Sequence, residues 1–160
     1  MSWTVLHVRP RCEKKMADYC AFYAIDHYLA LREETKVYQR RKVSVQKPLF
    51  PGYVFAELTE EKRQLALKSN HIVRVIETND QQRLLRELEH IKKALSVDPT
   101  LGAISAFSHG KSVRITDGPF RGLEGIVQNS KNATRVVLNI DMIGQAVSLD
   151  VDMDLLEVID

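Results

Sequence analysis

The stretch Pro48-Leu49-Phe50-Pro51-Gly52-Tyr53-Val54-Phe55 sets two prolines and a glycine directly before an alternating aromatic strand. Proline fixes φ and gives no N–H to a sheet, and glycine admits backbone that other residues resist, so the segment reads as a turn that aims a strand. Along that strand Tyr53 and Phe55 share one face and Val54 takes the other. The Val54 side can join a core and the Tyr53/Phe55 side can be offered to a partner, although residue type alone favours a core for both aromatics.

Before the turn, Trp3 to Arg9 alternates, with Trp3, Val5 and His7 on one face and Thr4, Leu6 and Val8 on the other, which predicts a strand. Pro10 ends it. A helix is predicted from near Cys12, with Met16, Tyr19, Cys20 and Tyr23 at the spacing of one apolar stripe. Arg11, Lys14 and Lys15 crowd its start, where cations oppose the helix dipole; a solvated face or a bound anion would explain them. Dense apolar residues from Ile25 to Leu31 suit a longer helix or a strand, and Ile25 and Tyr28 favour a strand from about His27 to Arg32. Lys36 to Val45 reads as two short strands around a basic tip that holds Arg40 and Arg41.

After the turn, Thr59 followed by Glu60 and Glu61 predicts an N-capped helix to about Ser69. Ile72 to Ile76 predicts a strand. Asn79 or Asp80 caps a further helix with Leu84, Leu88, Ile91 and Leu95 on one face. The order is βαββαβα, an α+β sandwich with its sheet on one side and helices on the other. Ser96 to Ala106, with Asp98-Pro99 and Gly102 and no periodicity, reads as a linker. Beyond it five short strands separated by glycine or polar turns predict a small β-barrel. The expected division is residues 1–95, 96–106 and 107–160.

Charge supports that split. Net charge is only +2 over 160 residues, but the chain carries 18 Lys and Arg against 13 Asp and Glu up to Ala106, and 5 against 8 from Phe107 onward. A basic module suited to a polyanion is joined to a mildly acidic one. Cys12 and Cys20 are too few for a disulfide framework and lack the companions of a zinc site. No paired carboxylates, activated nucleophile or metal cluster stands at useful spacing, so neither an enzyme nor a cofactor is expected. No run approaches the roughly 18 apolar residues of a membrane span, and a cytoplasmic monomer without membrane contact is expected.

The segment Gly110-Lys-Ser-Val-Arg-Ile-Thr-Asp-Gly-Pro-Phe-Arg-Gly-Leu-Glu-Gly-Ile-Val127 resembles a KOW motif, and Trp3 to Arg9 followed by Pro48 to Phe55 resembles the N-terminal domain of NusG. Together they cover nearly the whole chain in the order of a NusG-type transcription elongation factor. Pro10 to Lys15 and the short linker are more similar to the specialised RfaH-like and capsule-operon antiterminators.

The resemblance implies a protein that binds the clamp helices of RNA polymerase through His7, Phe50, Pro51, Tyr53 and Phe55, and suppresses pausing or termination. It also implies contact with the non-template DNA strand near Arg9, Lys15, Tyr19, Asn70 and His71, with Arg11, Lys14, Arg40 and Arg41 adding cationic surface. In the KOW domain, Phe120, Leu123, Met142 and Ile143 match the family's contacts to a small-subunit ribosomal protein or to Rho. Leu123 replaces a usual Phe and Gln145 a usual Arg, so a weakened contact is expected. The alternative is a KOW-bearing protein that binds RNA or the ribosome without polymerase. Unlike RfaH, whose C-terminal domain folds as a helical hairpin over the clamp pocket, this chain is expected to keep a β-barrel and an open pocket. Lys47 stands where RfaH has an acid, and Val136, Val137, Val147 and Val151 favour strands.

Overall fold

The computed structural model describes residues 1–130 and 133–159. The chain divides into two compact units, Met1–Leu31 with Lys47–Leu85, and Arg32–Gln46 with Arg86–Asp160.

The first unit is built on strand β1 (Ser2–Val8), helix α1 (Glu13–Phe22), strands β2 (His27–Tyr28) and β5 (Tyr53–Leu58), helix α2 (Glu60–Leu67) and strand β6 (Ile72–Ile76). Its antiparallel sheet runs β2-β5-β1-β6, so β1 lies inside and pairs on both edges. Alternation follows the sequence. Leu6, Val8, Val54, Ala56 and Leu58 share one face and bury Met16 and Cys20 of α1 and Ala66 of α2. The opposite face is not open, however, since Val5 and Phe55 are also buried. That face is thus buried at Val5 and Phe55 and half-buried at His7 and Tyr53.

Local chemistry fixes the helix ends. Thr59 Oγ1 accepts from Lys62 N at 3.1 Å as the N-cap of α2. Helix α1 ends in a Schellman motif: Ile25 N donates to Cys20 O at 2.8 Å and Ala24 N to Ala21 O at 3.3 Å, with Ala24 at φ 55°. Ile25 then turns into the core beside Cys20, whose thiol burial pushes up to about 11. The predicted strand over His27 to Arg32 is corrected to a two-residue strand and a break. Ala30 is buried and its carbonyl accepts from Leu49 N at 2.8 Å, a turn contact that takes the chain out of the sheet.

In the second unit, strands β3 (Leu31–Tyr38) and β4 (Arg41–Pro48) form a separate two-stranded sheet, longer than the sequence suggests. Gln39 and Arg40, both at positive φ, make its two-residue turn. Helix α3 (Gln81–Val97) begins in the first unit, where Asp80 Oδ1 accepts from Arg83 N at 3.0 Å. The stretch 96–106 makes several fixed contacts. Arg32 donates to the carbonyls of Leu101 and Thr100 at 2.9 and 2.8 Å, and Ala103–Ser105 forms strand β7.

Strands β8 (Ser112–Ile115), β9 (Glu124–Ser130), β10 (Ala133–Ile140), β11 (Gln145–Asp150) and β12 (Leu156–Val158) complete the small barrel, in sheet order β12-β8-β9-β10-β11-β7. Val113, Ile115, Leu123, Val136, Val137, Leu138, Ile140, Ala146, Val147 and Leu149 are buried in it. Gly125 is required by close approach: a Cβ there would stand 2.5 Å from the Val137 carbonyl oxygen. The region expected as strands rather than a helical hairpin is β, with two short 3-10 turns.

Candidate functional site

In the organising turn, Gly52 lies at φ 90°, and its N–H donates to Glu13 Oε2 at 2.8 Å while its carbonyl accepts from Val8 N at 2.8 Å. Glu13 is only 7% exposed. A carboxylate in the first turn of α1 thus holds the turn against the end of β1, a role the sequence reading missed because only the tertiary fold brings positions 13 and 52 together. Gly52 backs onto the His7 ring: a Cβ there would lie 3.6 Å from His7 Cδ2.

On that surface the rings of His7 and Tyr53 stack at 5.3 Å with 24° between planes. His7 and Tyr53 are register partners across β1 and β5, and Arg74 of β6 is the partner of His7 on the other side. Both rings are half-buried, Pro51 is exposed, and Arg74 is an exposed cation beside them that the sequence reading did not single out. Phe55, two residues further along the same face, is 0% exposed, and Phe50 is 1% exposed. Their assignment as partner-contact residues is corrected to core, because neither side chain has surface to offer. The two aromatics also differ in their neighbours on β2. Its two residues pair with Phe55 and Ala56, and Tyr28 stacks on Phe55, whereas Tyr53 lies beyond the end of that short strand.

The basic positions fall largely around α1. Arg9 N donates to His71 O at 2.8 Å, which brings the end of β1 against the segment after α2. Asn70, at φ 64°, and Arg11, at φ 65°, both take left-handed backbone next to this contact. Lys14 and Lys15 are exposed on α1, and Tyr19 donates its hydroxyl proton to Leu65 O at 2.6 Å, tying α1 to α2. Arg9, Arg11, Lys14, Lys15, Tyr19, Asn70 and His71 therefore belong to one region of the first unit. Arg40 and Arg41 stand at the β3–β4 turn, in the second unit.

In the barrel, Phe120 lies in the β8–β9 turn, and Met142 and Ile143 in the 3-10 turn before β11, all half-buried. Leu123 is 1% exposed, so its assignment to a partner surface is corrected to barrel core. A cavity of about 380 Å³ beside Phe120 is lined by Asp117, Asp150 and Asp152 over an apolar floor. Among the described residues no three His, Cys, Asp or Glu side chains gather to hold a metal ion, and no helix is long and apolar enough to cross a membrane.

The family described as transcription termination factor nusG matches residues 1–94. Among solved structures, NusG from Thermotoga maritima is similar with a TM-score of 0.51 at 18% identity, covering 99% of this chain and 97% of that one. A chain of the MjSpt4:Spt5 complex aligns with a TM-score of 0.33 at 16% identity, over 99% of this chain and 97% of that one. No curated protein matches the chain.

Proposed function

The chain belongs to the NusG family, and from that premise we propose that it is a specialised elongation and antitermination factor that binds RNA polymerase and suppresses pausing or termination. The clamp helices of polymerase meet His7, Pro51 and Tyr53, with Phe50 and Phe55 supporting that surface from the core. The non-template DNA strand follows Arg9, Arg11, Lys14, Lys15, Tyr19, Asn70 and His71. Functionally, residues 1–95 form the polymerase-binding part, 96–106 the connection and 107–160 the KOW part. The latter offers Phe120, Met142 and Ile143 to a small-subunit ribosomal protein or Rho. The reading involves no catalysis.

The observation that carries it is the stacked His7–Tyr53 pair: two half-exposed rings, with His7 backed by the turn that the Glu13–Gly52 bond holds. A rigid, partly apolar surface next to cations suits a helical partner tip better than it suits a phosphate backbone alone. The test is capture of core polymerase from the native cell by full-length protein. Wild type is expected to retain it, and His7→Ala with Tyr53→Ala to lose it while keeping a cooperative unfolding transition. Retention by the double variant would refute this placement of the polymerase contact, and capture of ribosomes without polymerase would favour the RNA- or ribosome-binding alternative.

A further inference from the structure

The C-terminal end of α1 carries an exposed aromatic group that the polymerase surface does not use. Phe22 is 81% exposed and Tyr23 is 41% exposed. The Tyr19 and Tyr23 rings lie 4.6 Å apart, and Phe22 meets Tyr23 edge-on at 4.9 Å with 77° between planes. Phe22 stands on the face of α1 away from buried Met16 and Cys20, and the Schellman turn after it sends Ile25, not Tyr23, into the core. Tyr19, on which the Tyr23 ring packs, is anchored through its hydroxyl to Leu65 O.

Charge selects the occupant. Between positions 9 and 23 the cations are Arg9, Arg11, Lys14 and Lys15, and the acids are Glu13 and Asp18. Glu13 is buried against Gly52, so the exposed balance is strongly positive. Lys15, Tyr19 and Phe22 follow one another at i, i+4 and i+7, in one line along the helix. Cations leading into open ring faces match a polyanion with flat apolar units, which is a single-stranded nucleic acid, and match an aliphatic protein surface poorly.

We propose that Phe22 and Tyr23 form a base-stacking platform for an unpaired strand whose phosphates run along Lys15, Arg11 and Arg9. This rests on the reading that α1 meets a nucleic-acid strand, and it adds the residues that engage the bases. Stacking on an aromatic face is tolerant of sequence, so this end of the surface contributes affinity without selecting a base.

The test is titration of full-length protein with a single-stranded oligonucleotide carrying 2-aminopurine, whose emission falls when the base stacks. Phe22→Ala and Phe22→Leu are both expected to weaken binding by roughly 5- to 150-fold and to lose the quench. Their dependence on salt stays that of wild type, because no phosphate contact is removed, whereas Lys15→Ala lowers that slope by about 0.7. Wild-type binding by Phe22→Leu, or absence of quench in wild-type protein, would overturn the platform. So would concentration-dependent self-association abolished by Phe22→Ala, which would make the aromatics an interface between copies. Polymerase capture by Phe22→Ala is expected to be intact; loss of capture in wild type would count against the functional reading instead and would leave the oligonucleotide result standing.

Discussion

Removing the Glu13 carboxylate is the most direct probe of how the organising turn is held. Glu13 accepts from Gly52 N at 2.8 Å and is 7% exposed, so Glu13→Ala deletes a hydrogen bond to a charged acceptor and strands a backbone donor. Bonds of that kind contribute about 1.5–3 kcal/mol, and loss of the acid from the first turn of α1 costs about 0.3–1 kcal/mol more. Glu13→Gln keeps an acceptor oxygen and forfeits only the charge, so its loss should be less than half as large. Trp3 is the sole tryptophan and lies in β1, which makes its fluorescence a reporter of the first unit alone. With a urea dependence of about 1–3 kcal/mol/M, Glu13→Ala should move the Trp3 midpoint down by roughly 1 M, and Glu13→Gln by clearly less. Equal midpoints for the two variants, or an unmoved midpoint for Glu13→Ala, would refute the idea that this carboxylate anchors the turn.

Phe55→Ala should destabilise the first unit by about 3–5 kcal/mol, since Phe55 is fully buried; a Trp3 urea midpoint matching that of Tyr53→Ala would contradict its place in the core. Burial is the largest influence on His90 and lowers its pKa, opposed by Glu124 and Glu89 and assisted by Arg86 and Lys93. The unfolded chain then binds the proton more readily, so this stability is present above the unfolded value of about 6.5 and is lost as pH falls toward the lowered folded value. His90→Gln should flatten that decline in denaturant titrations taken between neutral and acidic pH, and an unchanged slope would remove His90 as its source. Gly125→Ala would place a methyl 2.5 Å from Val137 O and 2.8 Å from Val136 Cγ1. A cost of about 1–3 kcal/mol is expected, with dispersed amide signals lost from the barrel strands while the Trp3 transition persists.

Elements governed by neighbours in sequence were readable from it. Thr59 with two following acids marked the start of α2, Asp80 capped α3, and the alternation of Trp3 to Arg9 gave both faces of β1 correctly. Features that depend on distant partners were not. Tyr53 and Phe55 look alike in sequence, but only Phe55 is fully buried, with Tyr28 of β2 as its cross-strand ring neighbour, a pairing no local pattern announces. The connection after α3 looked structureless because its order comes from Arg32, some seventy positions away. Phe22 lies off the apolar stripe of α1, so its exposure was legible from helical spacing, whereas its edge-on packing against Tyr23 was not.

The bond between Glu13 and Gly52 joins the inner side of α1, the helix that carries Lys14 and Lys15 outward, to the turn behind His7 and Tyr53, so both candidate surfaces share one short mechanical element. Linkage then imposes a symmetry that no detail of the ligands can remove. If an oligonucleotide on α1 changes the affinity of the His7–Tyr53 surface for its partner by some factor, the partner changes oligonucleotide affinity by the same factor. Measuring the effect in the experimentally easier direction therefore gives its size in the other.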